Sequence, residues 1–433
     1  MYINYMYKQK YLKYKQKYLD LKNNLIGGTF KVECLGPEHP CLDKLSTDAS
    51  KKLYDNFKNK LFIGHMSIDT DTVMSSYIAS IIFNGKALLP EHLIKNAESL
   101  YLANTFQIND KFNILTIVDK KYVFTNGDKV VDIEGDKKFI LLDHNEPGQV
   151  CCDKENKINQ DDVIGIIDHH AITTPPHVPG NPINIIISSV GSTCTILYFL
   201  LNDFINKKII EIPAEINNVY KAIFFGIISD TLNFNSPTTT DNDKKAAYES
   251  YERANIHDYQ TLIDEMFNAK SKSVIDKNLA YINGFDKKAF EKYNAFVGTS
   301  ETNNIDIIHD KDTILALAEL MKKDEEKVKD PSKPKLLYRM FVNINTFDTY
   351  LVVPNIEGLY STTTKIFNEA NINKLNTSLG YKNTTINNDP RLESIKTIGS
   401  YLDYGEARVY YIGKTGSRKL QIVPLLKKYA PSI

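Results

Sequence analysis

The reading of this chain turns on Val163-Ile164-Gly165-Ile166-Ile167-Asp168-His169-His170. An apolar, mostly β-branched run of this length reads as a strand buried on both faces. Here it ends abruptly in a carboxylate and two imidazoles. The carboxyl end of such a strand faces the crevice where open α/β sheets bind their ligands. The pattern recurs at Leu61-Phe62-Ile63-Gly64-His65, at Phe139-Ile140-Leu141-Leu142-Asp143-His144 and at Ala222-Ile223-Phe224-Phe225-Gly226-Ile227-Ile228-Ser229-Asp230. All four runs are expected to be strands that deliver Asp or His at their ends.

Around these runs the sequence alternates strand with helix. After His65, the stretch Asp69-Thr70-Asp71-Thr72 supplies caps for a helix over 73–83. Residues 183–189 are expected as a strand and 193–205 as a helix. Such alternation predicts a parallel sheet with helices on both faces. Asn126-Gly127-Asp128 carries a hairpin signal. Residues 268–276 read as a linker. Beyond them 289–299, 336–344, 349–353 and 408–412 are expected strands of a smaller, mixed sheet, 313–327 a helix and 354–405 a surface insertion. The expected organisation is a basic amphipathic segment 1–28, a catalytic α/β domain 29–267, the linker 268–276 and a second α/β domain 277–433.

Composition narrows the partners. At 433 residues the chain is too long for one ordinary core. Its 53 basic and 53 acidic residues cancel, so any anion site must come from local clustering and not from a global basic surface. Five cysteines without a CxxC pair argue against disulfides and a cysteine zinc site, and for a reducing, cytoplasmic setting. The uncharged stretch 182–202 is about long enough to span a bilayer. Its Asn184, Ser188, Ser189, Gly191, Ser192, Thr193 and Thr195 make a buried strand, turn and helix the expected reading.

The candidate site residues are His65, Asp69, Asp71, Asp143, Asp168, His169, His170 and Asp230. Carboxylate oxygen and imidazole nitrogen without thiolate suit Mn²⁺, Co²⁺, Fe²⁺ or Mg²⁺. So many donors exceed the need of one ion. A pair of ions about 3.5–4 Å apart, sharing a carboxylate and acidifying a water, is the expected arrangement. Beside such a centre, Arg418 with its two-pronged donor set and Lys419 as a point charge would suit a phosphate.

The motifs Gly64-His65-Met66-Ser67-Ile68-Asp69-Thr70-Asp71, Asp143-His144-Asn145-Glu146, Asp168-His169-His170, Val190-Gly191-Ser192-Thr193-Cys194-Thr195-Ile196-Leu197, Ser229-Asp230-Thr231-Leu232-Asn233-Phe234-Asn235-Ser236-Pro237-Thr238 and Ser417-Arg418-Lys419-Leu420-Gln421 appear in this order. Over residues 58–427 they resemble the motif set of the DHH phosphoesterase superfamily, and most closely that of the family II, manganese-dependent inorganic pyrophosphatases. The resemblance implies an N-terminal parallel-sheet domain, a smaller C-terminal α/β domain and an active site in the cleft between them. It implies two Mn²⁺, with Co²⁺ or Mg²⁺ as substitutes, and pyrophosphate arriving with Mg²⁺ to be hydrolysed by a two-metal-activated water. His65, Asp69 and Asp143 would hold one metal; Asp71, Asp143, His169 and Asp230 would hold the other. His170 would contact substrate, Asp168 would orient the histidines, and Lys288, Arg418 and Lys419 would bind phosphate, with Lys287 as the competitor of Lys288.

His65 and the intact Asp168-His169-His170 place the chain nearer the pyrophosphatases than the family's exopolyphosphatases, whose first motif commonly has Asn at the position of His65. The extra residues around 90–137 and 354–405, and Ala171 where Arg often stands, keep short-chain polyphosphate or a nucleotide polyphosphate as alternative substrates. Residues 1–28 repeat Lys-Gln-Lys-Tyr-Leu at a seven-residue spacing and hold six Lys against one Asp. They resemble the openings of mimivirus-like giant-virus proteins and offer a surface for protein, nucleic acid or membrane. A structural or packaging role in a virus particle is therefore a second alternative, and a homodimer is a further expectation.

Overall fold

The structure, a computed structural model, describes residues 31–35, 45–90, 92, 95–135, 137–150, 158–172, 183–284, 286–290, 293–323, 336–379 and 397–429. The segment 1–28, and with it the giant-virus resemblance, lies outside the described residues, as do Cys41, Cys151 and Cys152. The chain divides into two compact units. The first holds residues through Lys95, Ala103–Asp230 and Thr240–His257; the second holds Asn96–Leu102, Thr231–Thr239 and the chain from Asp258 on.

The first unit is built on one sheet. Its strands are β1 (Lys31–Leu35), β2 (Leu61–Ile63), β3 (Lys86–Leu89), β4 (Phe112–Val118), β5 (Lys121–Asn126), β6 (Lys129–Val131), β7 (Phe139–Leu142), β8 (Val163–Asp168) and β9 (Asn184–Ser188). Their order is β1-β9-β8-β7-β2-β3-β4-β5-β6. Pairing is parallel from β1 through β4 and antiparallel in the β4-β5-β6 meander. The Asn126-Gly127-Asp128 signal is the turn of that meander: Asn126 pairs with Lys129, and Gly127 takes φ 57°. Leu61, Ile63, Leu88, Leu115, Phe139, Leu141, Ile166 and Ile185 form one buried cluster. Each such side chain contributes about 1.5–3 kcal/mol on full burial.

Topology then decides where chemistry sits. From β2 the chain runs outward to β3 and β4, returns to the other side of β2 as β7, and runs the opposite way to β8 and β9. The sheet therefore reverses direction between β2 and β7, where open α/β sheets leave a crevice at the strand carboxyl ends. Ile63 pairs with Leu141, and Leu142 with Ile167, so the ends of β2, β7 and β8 lie side by side.

The helices of this unit are α1 (Thr47–Phe57), α2 (Thr70–Ile82), α4 (Thr193–Asn206), α5 (Ile216–Asp230) and α6 (Asp241–Ala254); α3 (Ala97–Thr105) falls across the division of the chain. One expectation is overturned here: the run ending at Asp230 is helix α5, not a strand. It packs against α2, α4 and α6 and is apolar nearly all round because it is buried on all sides. A fully buried helix and a fully buried strand give the same apolar run. Residues 182–202, the bilayer-length stretch, contain β9, the Ser192 cap and most of α4. Among the described residues no helix is long and apolar enough to cross a membrane.

The second unit carries a mixed sheet in the order β10-β11-β12-β13-β15-β14. Its strands are β10 (Lys287–Phe290), β11 (Ala295–Thr302), β12 (Leu336–Asn343), β13 (Thr349–Pro354), β14 (Tyr401–Asp403) and β15 (Ala407–Tyr411), with only β11 and β12 parallel. Its helices are α7 (Tyr259–Ile275), α8 (Leu279–Gly284), α9 (Lys311–Lys323), α10 (Leu359–Ile366), α11 (Glu369–Ser378) and α12 (Val423–Tyr429). Three expectations change. Residues 268–275 belong to α7, whose Ile263, Met266, Phe267 and Val274 are buried, in place of a linker. The single strand expected over 289–299 is the antiparallel pair β10 and β11. The stretch 354–405 contributes two helices that bury Leu359, Ile366 and Ile372, so its described part is core-forming and not only surface.

Candidate active site

Three neighbouring strands load the site. Past β2, a Cβ on Gly64 would stand 2.1 Å from Thr72 Cγ2, so glycine lets the strand end close on α2. Asp69 caps α2: its Oδ1 accepts the Thr72 N–H at 2.9 Å, and its Oδ2 lies 3.5 Å from His65 Nε2. Asp71, in the first turn, is buried and accepts from Ser192 Oγ at 2.5 Å, Thr193 N at 2.7 Å and Cys194 N at 3.1 Å. Those donors open α4, where unpaired amides and the helix dipole favour a carboxylate.

Asp143 is the centre. It follows β7 with φ 62°, a left-handed conformation that few residues other than glycine adopt, and its N–H donates to Ile167 O at 3.0 Å. The turn points its two oxygens at different neighbours. Oδ2 lies 3.3 Å from His65 Nε2 and accepts Thr72 Oγ1 at 2.9 Å; Oδ1 lies 3.2 Å from His169 Nε2 and 3.2 Å from Thr193 Oγ1. His169 sits just past β8, with Nδ1 3.1 Å from Val190 O, which fixes a proton on Nδ1 and turns Nε2 toward carboxylates. Nε2 is 3.5 Å from Asp230 Oδ2 and 3.9 Å from Asp71 Oδ2. His170 presents Nδ1 and its backbone N–H to Asp168 Oδ1, at 2.8 and 3.0 Å. Asp168 is fully buried, and Asn145 Nδ2 donates to its other oxygen at 2.6 Å.

Three ligand groups result: His65, Asp69 and Asp143; Asp143, His169 and His170; and Asp71, His169 and Asp230, each with donor atoms within 4.8 Å of one another. An Nε2 that meets only carboxylates must carry a proton or face a cation. With protons alone to balance the charge, His65 is pushed up to about 10: burial opposes its charge, but Asp69 and Asp143 outweigh burial. Burial, and then the charge of Asp143, raise Asp71 to about 7. Asp230 is raised well above the carboxylate range, burial first. Asp143 goes the other way; the hydrogen bonds of His169 and His65 overcome its burial. Burial and the neighbouring His169 charge lower His170. So dense a set of acids can ionise together only around cations, and its oxygen and nitrogen donors fit hard to borderline divalent ions. The nearby Cys194 thiol is not a donor to them. Burial and Asp71 raise it far up, so it stays a neutral, free thiol.

All six expected metal ligands thus stand in one cluster of the first unit, with His170 and Asp168 beside it. Of the residues expected to bind phosphate, Lys288 is exposed on β10 and Arg418 is mostly covered; the side chain of Lys419 lies outside the described residues. Sequence reasoning gave no role to Asn145, Ser192, Thr193 or Asp243, and Thr72 none beyond the cap of a helix. Asp243 is buried and accepts Gly191 N at 2.8 Å and Thr195 Oγ1 at 2.5 Å, bracing the loop that holds Asp71. Thr240 and Asp243 form the capping box of α6, a pattern legible as Thr-x-x-acid at the start of a helix.

Residues 60–227 match the family described as DHH family, N-terminal domain. A Brevibacillus brevis protein named "Probable manganese-dependent inorganic pyrophosphatase" is 28% identical over 253 residues, 58% of this chain and 72% of its own length. A Lactobacillus delbrueckii protein of the same name is 29% identical over 266 residues, 60% of this chain and 76% of its own. The fold is similar to the crystal structure of a candidate family II inorganic pyrophosphatase from Methanococcus jannaschii, at TM-score 0.56 and 22% identity, over 85% of this chain and 98% of that one. Over residues 60–227, then, this chain is similar to the N-terminal domain of the DHH family.

Proposed function

We propose that this chain hydrolyses inorganic pyrophosphate to two phosphates, using two divalent cations, Mn²⁺ foremost. The observation that carries the reading is Asp143, whose two oxygens face two separate ligand groups, His65 with Asp69 on one side and His169 on the other. The names of the related proteins from Brevibacillus brevis and Lactobacillus delbrueckii support the substrate.

In this reading His65, Asp69 and Asp143 hold one cation and Asp71, Asp143, His169 and Asp230 the other. Bound there, the pair would supply a water of lowered pKa and neutralise phosphate charge. The chain's own residues do the rest. The amides and hydroxyls at the start of α4 keep Asp71 aimed, and Val190 O fixes the tautomer of His169. Asp168, anchored by Asn145, accepts the hydrogen bond of His170 Nδ1–H and so orients the ring with Nε2 toward the substrate. Lys288, Arg418 and Lys419 take up phosphate charge. The free, buried thiol of Cys194 suits a reducing compartment.

The test is phosphate release by the metal-stripped protein, with Mn²⁺ restored, from pyrophosphate, tripolyphosphate and long-chain polyphosphate in parallel. Rapid release from pyrophosphate that Asp143→Asn abolishes is the expected result. Preference for the longer chains would make it an exopolyphosphatase. No release from any of them with metals bound would overturn the catalytic reading and leave a structural role.

A further inference from the structure

In the second unit, one carboxylate stands among three cations. Asp286, at φ 42° just before β10, meets Arg418 with both its backbone and its side chain. Arg418 Nη1 donates to Asp286 O, Nη2 donates to Asp286 Oδ1 at 2.6 Å, and Nη1 also donates to Val297 O at 3.4 Å. Burial alone would raise the Asp286 carboxyl; the charges of Arg418 and Lys288, the Arg418 hydrogen bond and the charge of Arg339 outweigh it and hold the group below its usual range. Arg339 is 1% exposed on β12, where it donates to Thr299 O at 2.9 Å and to Ser300 Oγ at 2.5 Å. It lies over Gly298, whose Cβ would come 2.2 Å from Arg339 Nη1, so the glycine makes room for the buried charge. Lys287 is set apart from Lys288: its ammonium lies 5.1 Å from the centre of the Phe296 ring.

A guanidinium has five N–H donors in a rigid plane. Asp286 takes the Nη1–Nη2 end, and Val297 O takes a further Nη1 proton. What is left is the side edge, Nε–H with the outer Nη2–H, which donates to no acceptor among the described residues and is the edge that grips a phosphate or carboxylate with two parallel bonds. The turn that carries Arg418 is itself braced. Ser417 Oγ accepts Leu420 N at 3.2 Å, and the buried Gln421 donates to Asn376 Oδ1 and Lys414 O at 2.8 Å each. We propose that Asp286 is a positioning residue for Arg418, holding one end of its guanidinium so that the Nε–Nη2 edge receives two oxygens of a substrate phosphate. The proposal rests on the pyrophosphatase reading for the identity of that phosphate.

The test uses the full-length protein with Mn²⁺. Steady-state phosphate release from pyrophosphate is measured together with calorimetric binding of imidodiphosphate, a non-hydrolysable pyrophosphate analogue. Asp286→Ala and Asp286→Asn are expected to weaken analogue binding and raise KM by about tenfold to hundredfold, with a smaller change in kcat. Asp286→Glu restores part of the loss, and in an Arg418→Lys background Asp286→Ala costs little more, because the two side chains act as a unit. Folded Asp286→Ala protein with KM and affinity within about twofold of the native chain would overturn the proposal; so would losses from Asp286→Ala and Arg418→Lys that simply multiply. If Asp286→Ala does not fold, Asp286→Asn and Asp286→Glu decide on the same criteria. Native protein that binds imidodiphosphate in an Asp286-dependent way without releasing phosphate would end the pyrophosphatase reading and leave the assignment of Asp286. Native protein that neither binds nor hydrolyses would end both.

Discussion

At the scale of single residues, several side chains of the cluster, Asp69, Asp71, Asp143, His169 and His170 among them, carry a hydrogen bond that fixes their aim. His170 shows this best, because its Nδ1 and its backbone amide share one oxygen of Asp168. Replacing Asp168 by Asn would free the ring to flip. The expected result is a loss of about tenfold to hundredfold in kcat with metal content unchanged, read from kinetics beside elemental analysis. Loss of metal together with activity would mean that Asp168 supports the ligand cluster itself. A second expectation concerns protons. Metal-free, His65 holds its proton up to about 10 and Asp71 up to about 7, so Mn²⁺ must displace protons to bind. Apparent Mn²⁺ affinity should therefore rise with pH across this range, the Asp71 contribution ending near 7 and the His65 contribution near 10. Calorimetric titrations at neutral pH in buffers of different ionisation enthalpy should show proton release, and an affinity independent of pH would contradict the assignment of His65 and Asp71 as ligands.

At the scale of elements, short turns set the geometry that the strands only approximate. Gly64→Ala forces a Cβ onto Thr72, between β2 and α2, and should cost about 1–3 kcal/mol of stability, measured by urea unfolding. Asp243→Ala leaves Gly191 N and Thr195 Oγ1 without their acceptor and removes the capping box of α6. It too should destabilise by about 1–3 kcal/mol, and it should weaken Mn²⁺ binding as well, because the same loop holds Asp71. A destabilised variant with native Mn²⁺ affinity would separate the cap from the site. Element type was legible wherever the period or the caps were distinct, as in the strands around Asp143 and Asp168 and the Asp69-capped helix. It was not legible at 222–230, where burial on every side of α5 erased the helical period, nor at 268–275, where small and polar residues that resemble a linker sit on the last turns of a packed helix.

At the scale of the whole molecule, the charge balance implies that the ligand cluster is a local cost to the fold when no cation is bound. Stripping the metals should lower the thermal midpoint, and restoring Mn²⁺ to about a hundred times its dissociation constant should return about 2.7 kcal/mol per independent site. A midpoint indifferent to Mn²⁺ would show that the cluster does not bind it in the folded protein.

The sequence by itself singled out the residues proposed to carry the chemistry, because carboxylates and imidazoles recur at the ends of its apolar runs and their ordered motifs resemble one family. It also determined the two kinds of sheet, since period and turn residues are local properties. Tertiary structure decided the rest. The reversal of strand order between β2 and β7 brings His65, Asp143 and His169 together, and the left-handed turn at Asp143 divides its two oxygens between two ligand groups. Contacts across 132 positions of sequence, such as that of Arg418 with Asp286, depend on how the second sheet closes. No local pattern encodes them, because each partner alone is an ordinary charged residue and only the packed fold makes them a pair.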